Sequence, residues 1–165
     1  MRFIPAIALG LLPLVAMAQT EAPAPEPPAS AEASLGAGSP EAVAAALQAL
    51  GYRALLTTDD YGDPKIVSGA SGAMFEIWFY GCEEAADCKD LQFYGGFDTE
   101  RAFTAEEMND WNLDQLVGQA YVDENGHPRI SLALPGATDL TPAAFERMVM
   151  RWDAAFGTFV NFVEF

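Results

Sequence analysis

Cysteine, histidine and basic residues are all scarce in this chain. It has two cysteines, one histidine, and eight Lys and Arg against 24 Asp and Glu, which gives a formal net charge of −16. A zinc site built from Cys and His needs more ligands than these, and a surface that binds phosphate backbones needs an excess of cations. The sequence therefore predicts no metal and no nucleic-acid partner, and no motif indicates a cofactor.

Long hydrophobic runs are also missing. The apolar run at residues 3–15 contains two prolines and is shorter than the ~20 residues that span a bilayer. Arg2 precedes it, and Ala16-Met17-Ala18 follows with the small residues of a signal-peptidase site. We therefore expect residues 1–18 to be a cleaved signal peptide, which leaves a periplasmic or secreted protein that begins at Gln19 and does not associate with membrane.

The composition changes after the predicted cleavage site. Residues 19–38 are rich in Ala, Pro, Glu, Ser and Gly and nearly lack large side chains, as is typical of a disordered linker. The remaining 127 or so residues hold ample apolar material, and this length suits one domain with a hydrophobic core. We expect a single acidic domain over residues 39–165.

Helical and strand patterns both occur in that domain. Helical spacing of apolar residues begins after Ser39-Pro40 and again after Thr141-Pro142, and Thr104 and Glu107 form a capping box for a helix between them. Runs rich in strand formers and bounded by turn residues predict strands at 52–58, 65–69, 73–81, 90–96, 118–124 and 128–134. The fold class is predicted to be α+β, with a mainly antiparallel sheet and helices packed on one face.

Several segments resemble the YbjN family of bacterial sensory transduction regulators. The resemblance rests on FEIWFYGC, a second cysteine ahead of LQFYGGF, the run MNDWN followed by VGQAYVDENGHPRISLAL, and a closing helix with Trp152 and Phe159. It implies a fold similar to type III secretion chaperones and a regulatory or binding role, and it transfers no catalytic residue. The predicted export signal does not fit a signalling role in the cytoplasm.

The two cysteines, Cys82 and Cys88, are predicted to form a disulfide. Export would deliver them to an oxidising compartment, and no third cysteine is left over. Gly81 ends one predicted strand and Asp90 begins the next, so the acidic segment between the cysteines is expected to be a surface loop. A zinc site or a redox-active pair fits this spacing less well.

Aromatic residues supply the candidate binding sites. If alternate residues of the third strand point to the core, other aromatic side chains lie on the opposite face of the sheet, where a contiguous row would form an interaction surface. These are Trp78, Tyr80, Tyr94 and Tyr121. Trp111, on the middle helix, is either a recognition residue or, as we favour, a brace that fixes the helix to the sheet.

Two function classes remain open from the sequence. The first is a non-catalytic envelope protein that binds a protein partner or itself, with a homodimer as one form. Its contacts would be the outward face of the sheet or Met150, Phe162 and Phe165, which lie off the core stripe of the closing helix. The alternative is a small periplasmic hydrolase with an unrecognised site, although the segment Gly69–Ala73 precedes a strand, where a nucleophile elbow precedes a helix. A purely structural envelope protein is a third possibility.

Overall fold

The computed structural model describes residues 35–165, and the predicted export signal lies outside that range. Within these residues, three helices and six strands follow one another. Their order is α1 (Pro40–Ala49), β1 (Leu55–Thr58), β2 (Pro64–Ala70), β3 (Ala73–Tyr80), β4 (Asp90–Gly96), α2 (Ala105–Leu113), β5 (Gln119–Val122), β6 (Pro128–Leu134) and α3 (Pro142–Phe162). The predicted α+β class is confirmed.

All six strands form one antiparallel sheet. Strands β1 to β4 run as a meander, and the β5–β6 hairpin joins it with β6 beside β4, so the strand order is β1-β2-β3-β4-β6-β5. Asp90–Gly96 of β4 therefore pairs with both β3 and β6. The edges of the sheet are β1 and β5, each of four residues.

The core lies between the sheet and α3. Apolar residues recur along α3 at helical spacing, so one stripe of the helix faces the sheet. Trp152, at the centre of this stripe, contacts Phe75 and Phe93 at ring-centroid distances of 5.8 and 5.5 Å. The stripe residues that are buried are Phe145, Val149, Trp152, Phe156, Phe159, Val160 and Val163.

The short helix α2 is fixed at both ends. Its capping box is formed as predicted, because Thr104 Oγ1 accepts a hydrogen bond from the Glu107 N–H while Glu107 Oε2 accepts one from the Thr104 N–H. At the other end, Asn112 donates to the carbonyl of Ala120 at 3.0 Å and accepts from its N–H at 2.8 Å. The Asn112 amide thus occupies backbone groups of the edge strand β5, which limits pairing of that edge with another chain.

The domain begins earlier than the sequence indicates. Leu35 and Ala37 are buried, and Leu35 exchanges backbone hydrogen bonds with Leu140. The last four residues of the predicted linker, 35–38, are therefore part of the folded domain. Ser39 is the residue before α1, as expected, but its side chain makes no capping hydrogen bond.

Cys82 and Cys88 form a disulfide, as predicted. The bond closes the connection between the end of β3 and the start of β4, and the Lys89 N–H donates to the Tyr80 carbonyl beside it. Cys88 is buried in the core cluster. The disulfide therefore joins the central hairpin of the sheet at its base.

A small residue is required where β4 lies beneath α3. A β-carbon at Gly95 would lie 2.5 Å from Cε2 of Phe156 and 3.2 Å from Cγ2 of Ile130. Because these rings and branches are already close-packed, we expect Gly95→Ala to lower the free energy of unfolding by about 1 to 3 kcal/mol, measured by urea denaturation.

Gly38→Ala is the matched control for that prediction, because its added β-carbon would have no neighbour closer than 3.9 Å. Its free energy of unfolding should stay within about 0.5 kcal/mol of wild type. Equal stability of the two variants would show that Phe156 can move aside at no cost.

Candidate functional site

The face of the sheet opposite the helices carries a group of aromatic side chains. Phe75, Ile77 and Phe79 of β3 are almost completely buried under the helices, so the residues that alternate with them point the other way. We call this surface the open face. The four aromatic residues predicted for it are Trp78, Tyr80, Tyr94 and Tyr121.

Trp78 lies at the centre of the open face. Its ring meets that of Tyr94 on the neighbouring strand edge to face, with centroids 6.2 Å apart. Lys65, directly opposite Trp78 on β2, places its ammonium 4.7 Å from the indole centroid. Trp78 Nε1 is buried with no hydrogen-bond partner among residues 35–165. Aromatic and cation contacts of this kind hold the ring in one orientation.

Charges near the centre of the open face are paired. Lys65 Nζ lies 3.0 Å from Glu76 Oε1, and Glu76 lies opposite Tyr94 in the β3–β4 register. Although the chain carries a net charge of −16, this part of its surface is close to neutral. A neutral aromatic surface can lose its water to a partner at lower cost than a charged one.

Tyr80 and Tyr121 flank this centre and remain exposed, by 44% and 41%. The Tyr80 hydroxyl donates to Gln92 Oε1 at 3.1 Å, while Tyr121 lies opposite Arg129 on β6. Together with Trp78 and Tyr94 they lie on β3, β4 and β5, and β6 runs between the last two strands. The strand register therefore aligns the predicted residues on one face, which the sequence could not show.

An ionic cluster at one end of the open face was not expected from the sequence. Arg129 Nη2 lies 2.6 Å from Asp123 Oδ2 and 3.2 Å from Asp98 Oδ1, and His127 Nδ1 lies 2.9 Å from the same Asp98 oxygen. His127 therefore connects the β5–β6 turn to the segment after β4. The separation of Asp98 from these partners by about thirty residues explains why no local pattern revealed the cluster.

In this region the pKa values of several side chains are shifted further from neutral pH. Burial raises the pKa of Tyr80, Tyr94 and Tyr121 above the usual tyrosine value. Hydrogen bonds from His127 and Arg129 lower the pKa of Asp98, and backbone hydrogen bonds from His127 and Asn125 are among the causes that lower that of Asp123. A general acid or base works best with a pKa near the working pH. These shifts therefore do not favour proton transfer by these groups near neutral pH.

Trp111 lies on the other side of the sheet from this surface. Only 6% of it is exposed, and its ring packs edge to face on Phe159 of α3 at 5.0 Å. This is the bracing role that the sequence favoured. Three residues at or near the closing helix were the other predicted contacts. Met150 and Phe165 are exposed, whereas Phe162 packs on Phe159.

The features considered for catalysis or metal binding do not converge on one site. Ser71 stands in the tight turn between two strands, and a β-carbon at Gly157 would lie 2.7 Å from its Oγ, so the hydroxyl lies against α3. The side chain of His127 pairs with Asp98. Among residues 35–165, no three His, Cys, Asp or Glu side chains are grouped to hold a metal ion, and no helix there has the length and apolarity of a membrane span.

Comparison with known proteins identifies a family and a solved structure with a similar fold. The sequence profile of the YbjN family, described as "Putative bacterial sensory transduction regulator", matches residues 39–165. The crystal structure of YbjN from E. coli, titled a "putative transcription regulator", is similar with a TM-score of 0.53 and 13% sequence identity, covering 78% of this chain and 95% of that one. Identity this low shows a shared fold alone. No curated protein matches the chain.

Proposed function

Since the chain belongs to the YbjN family, we propose that it is a non-catalytic regulatory protein that is exported and binds a protein partner in the cell envelope through its open face. The observation that carries this proposal is the open face itself. Trp78 and Tyr94 are in contact at its centre, Tyr80 and Tyr121 are exposed beside them, and no described helix covers them. Trp and Tyr are the residues that most often dominate binding energy at protein interfaces.

Export of the protein is supported by two separate features. The first eighteen residues have the pattern of a signal peptide, and the only two cysteines form a disulfide. Structural disulfides persist in oxidising compartments and are rare in the cytosol. Both features fit a periplasmic or secreted protein.

The processed protein is expected to begin at Gln19. Cleavage after Ala18 follows from the small residues at positions 16 and 18. Intact-mass and N-terminal peptide analysis of the protein recovered from a periplasmic extract of the producing bacterium would show this terminus. Recovery of the chain with Met1 in place, from the cytoplasmic fraction, would contradict both the cleavage and the location.

A photo-crosslinking experiment tests the open face. A photoreactive phenylalanine analogue is placed at Tyr80 or at Tyr121, and the tagged protein is irradiated in intact cells. Met150 is the control, because it is exposed on the side of α3 that faces away from the sheet and so lies on the opposite side of the domain from the open face. We expect a discrete cross-linked protein at positions 80 and 121 and none at 150.

Replacement of the central ring then tests its contribution. Trp78→Ala is expected to weaken the cross-linked interaction by at least about tenfold, since tryptophan at the centre of an interface is often worth more than about 2 kcal/mol. Circular dichroism should show an unchanged fold. Cross-links of equal strength at all three positions, or an interaction that survives Trp78→Ala, would show that the open face is not the binding surface. A cross-link to a second copy of the chain would show that the protein binds itself and forms a homodimer.

A further inference from the structure

Strand β6 has a free edge where β5 stops short. The pairing of β5 with β6 ends at Gln119 opposite Ser131, while the pairing of β4 with β6 continues to Leu134. Leu132–Leu134 therefore has a strand partner on one side and none among residues 35–165 on the other. Ala133 is exposed at this point. An unpaired strand segment of this kind is a template for an added strand.

A groove runs along that free edge, and its lower wall is α3. One part, of about 360 Å³, is lined by residues of β6, of the 135–140 connection and of α3. A second part, of about 280 Å³, lies between α3 and the segment before β5, where Leu116 is 95% exposed. Arg151 lines both parts. We call the two parts together the α3 groove.

The charge of the α3 groove is opposite to that of the chain. Arg147 and Arg151 are exposed, lie one helical turn apart, and are joined to no carboxylate in the described salt bridges, which involve Lys65, Arg101, His127 and Arg129. The positions three and four residues from each of them on α3 hold Ala, Met or Arg and no acid. Asp153, the nearest following acid, lies beside Tyr52, and burial together with this carboxylate raises the pKa of Tyr52 to about 12.

Like charges one turn apart disfavour a helix, and 24 acidic residues were available to pair with them. The first part of the groove is otherwise apolar, with Leu134, Leu140, Ala144 and Met148 in its lining. Two unpaired cations beside an apolar groove and a free strand edge are complementary to one kind of ligand. That ligand is an extended peptide with carboxylates on alternate residues.

We infer that the α3 groove binds an extended acidic segment of a partner protein, which adds as a strand to Leu132–Leu134 and places its carboxylates on Arg147 and Arg151. Alternate residues of a strand lie ~6.6 Å apart, and side chains one turn apart on a helix lie ~5 to 6 Å apart. The two spacings agree, so neighbouring carboxylates on one face of the strand reach both arginines. The added strand would continue the line of β5, antiparallel to β6.

Fluorescence polarisation with synthetic peptides tests the inference. The probe is a labelled peptide of about eight residues in which Glu and Val alternate, a length typical of strands. One comparison peptide carries Lys in place of Glu, and another carries Pro in place of Val, which keeps the charge but removes alternate backbone donors. We expect the Glu-Val peptide to bind at least about tenfold more tightly than either, with an affinity that falls as salt is added.

Charge reversal in the protein provides the second arm. Arg147→Glu with Arg151→Glu should weaken binding of the Glu-Val peptide at least about tenfold and create binding of the Lys-Val peptide. Arg53→Glu with Lys89→Glu is the control, because it changes the net charge equally at cations that do not line the groove. Trp78→Ala should also leave peptide binding unchanged, which separates this groove from the open face.

Three results would overturn the inference. Equal loss of binding in both charge-reversed proteins would show a general charge effect. Equal binding of the Glu-Val and Glu-Pro peptides would show that no strand is added. Sedimentation that reveals a dimer dissociated by the Glu-Val peptide would show that a second copy of the chain occupies the groove.

Discussion

Trp152→Ala is expected to lower the free energy of unfolding by about 3 to 5 kcal/mol, the range for removing a large buried aromatic side chain. Trp152 is fully buried and contacts Phe75, Phe93 and Phe156, so its loss opens a cavity between α3 and the centre of the sheet. Urea denaturation monitored by circular dichroism measures the change. For a domain of this size the melting temperature should fall by roughly 10 °C or more.

Two further variants show where that loss comes from. Trp152→Phe keeps most of the ring and removes an indole N–H that is buried with no partner among the described residues, so it should cost much less than Trp152→Ala. Met150→Ala, on the exposed side of α3, should change the free energy of unfolding by no more than about 0.5 kcal/mol. If all three variants had similar stability, α3 would not be held to the sheet by this stripe.

Loss of the disulfide is expected to have the next largest effect. Cys82→Ser should lower the free energy of unfolding by up to about 2 to 2.5 kcal/mol, the loop-closure entropy of a bridge with a sequence separation of six. Glu84, Ala85 and Asp87 in this loop have positive φ angles of 52°, 61° and 46°. Such backbone conformations are unfavourable for L-residues, and their relaxation in the open loop reduces the net loss.

Thiol labelling accompanies the stability measurement. Wild-type protein that is unfolded without reductant should label at no cysteine. Wild-type protein treated with reductant should have the same melting temperature as Cys82→Ser. Lys89→Ala is a control in the same connection, because Lys89 contributes only its backbone N–H to the hairpin among the described bonds. Two reactive thiols per wild-type chain would contradict the bridge, and so would a melting temperature insensitive to Cys82→Ser.

The local elements were predictable because their signals lie within a few residues. The capping box of Thr104 and Glu107 stands at the start of α2, and the cysteine pair stands between two strands, as expected. The 3.6-residue period of α3 and the two-residue period of β3 determined which side chains face the core. The family could be named from the sequence for the same reason, since its motifs are short runs of the chain.

The boundary of the domain was harder to predict. Residues 35–38 look like the end of a polar, small-residue segment, yet Leu35 pairs with Leu140 more than a hundred positions later. A single strand-like bridge has no periodicity of its own to reveal it. Trp111 was ambiguous in a similar way, and only the contact with Phe159 showed that it is a brace.

The sequence by itself determined the secondary structure, the core stripe and the pairing of the cysteines, because periodicity, capping residues and the absence of a third cysteine are properties of neighbouring positions. Only the tertiary structure decided the register that joins Trp78 to Tyr94 and the insertion of β6 beside β4. It also decided that the pairing of β5 with β6 stops at Ser131, whereas β4 pairs with β6 as far as Leu134. The free edge of β6 that results lies beside Arg147 and Arg151. These features depend on which strands pair and where each pairing stops, and such long-range pairing is selected by the packing of the whole sheet against α3.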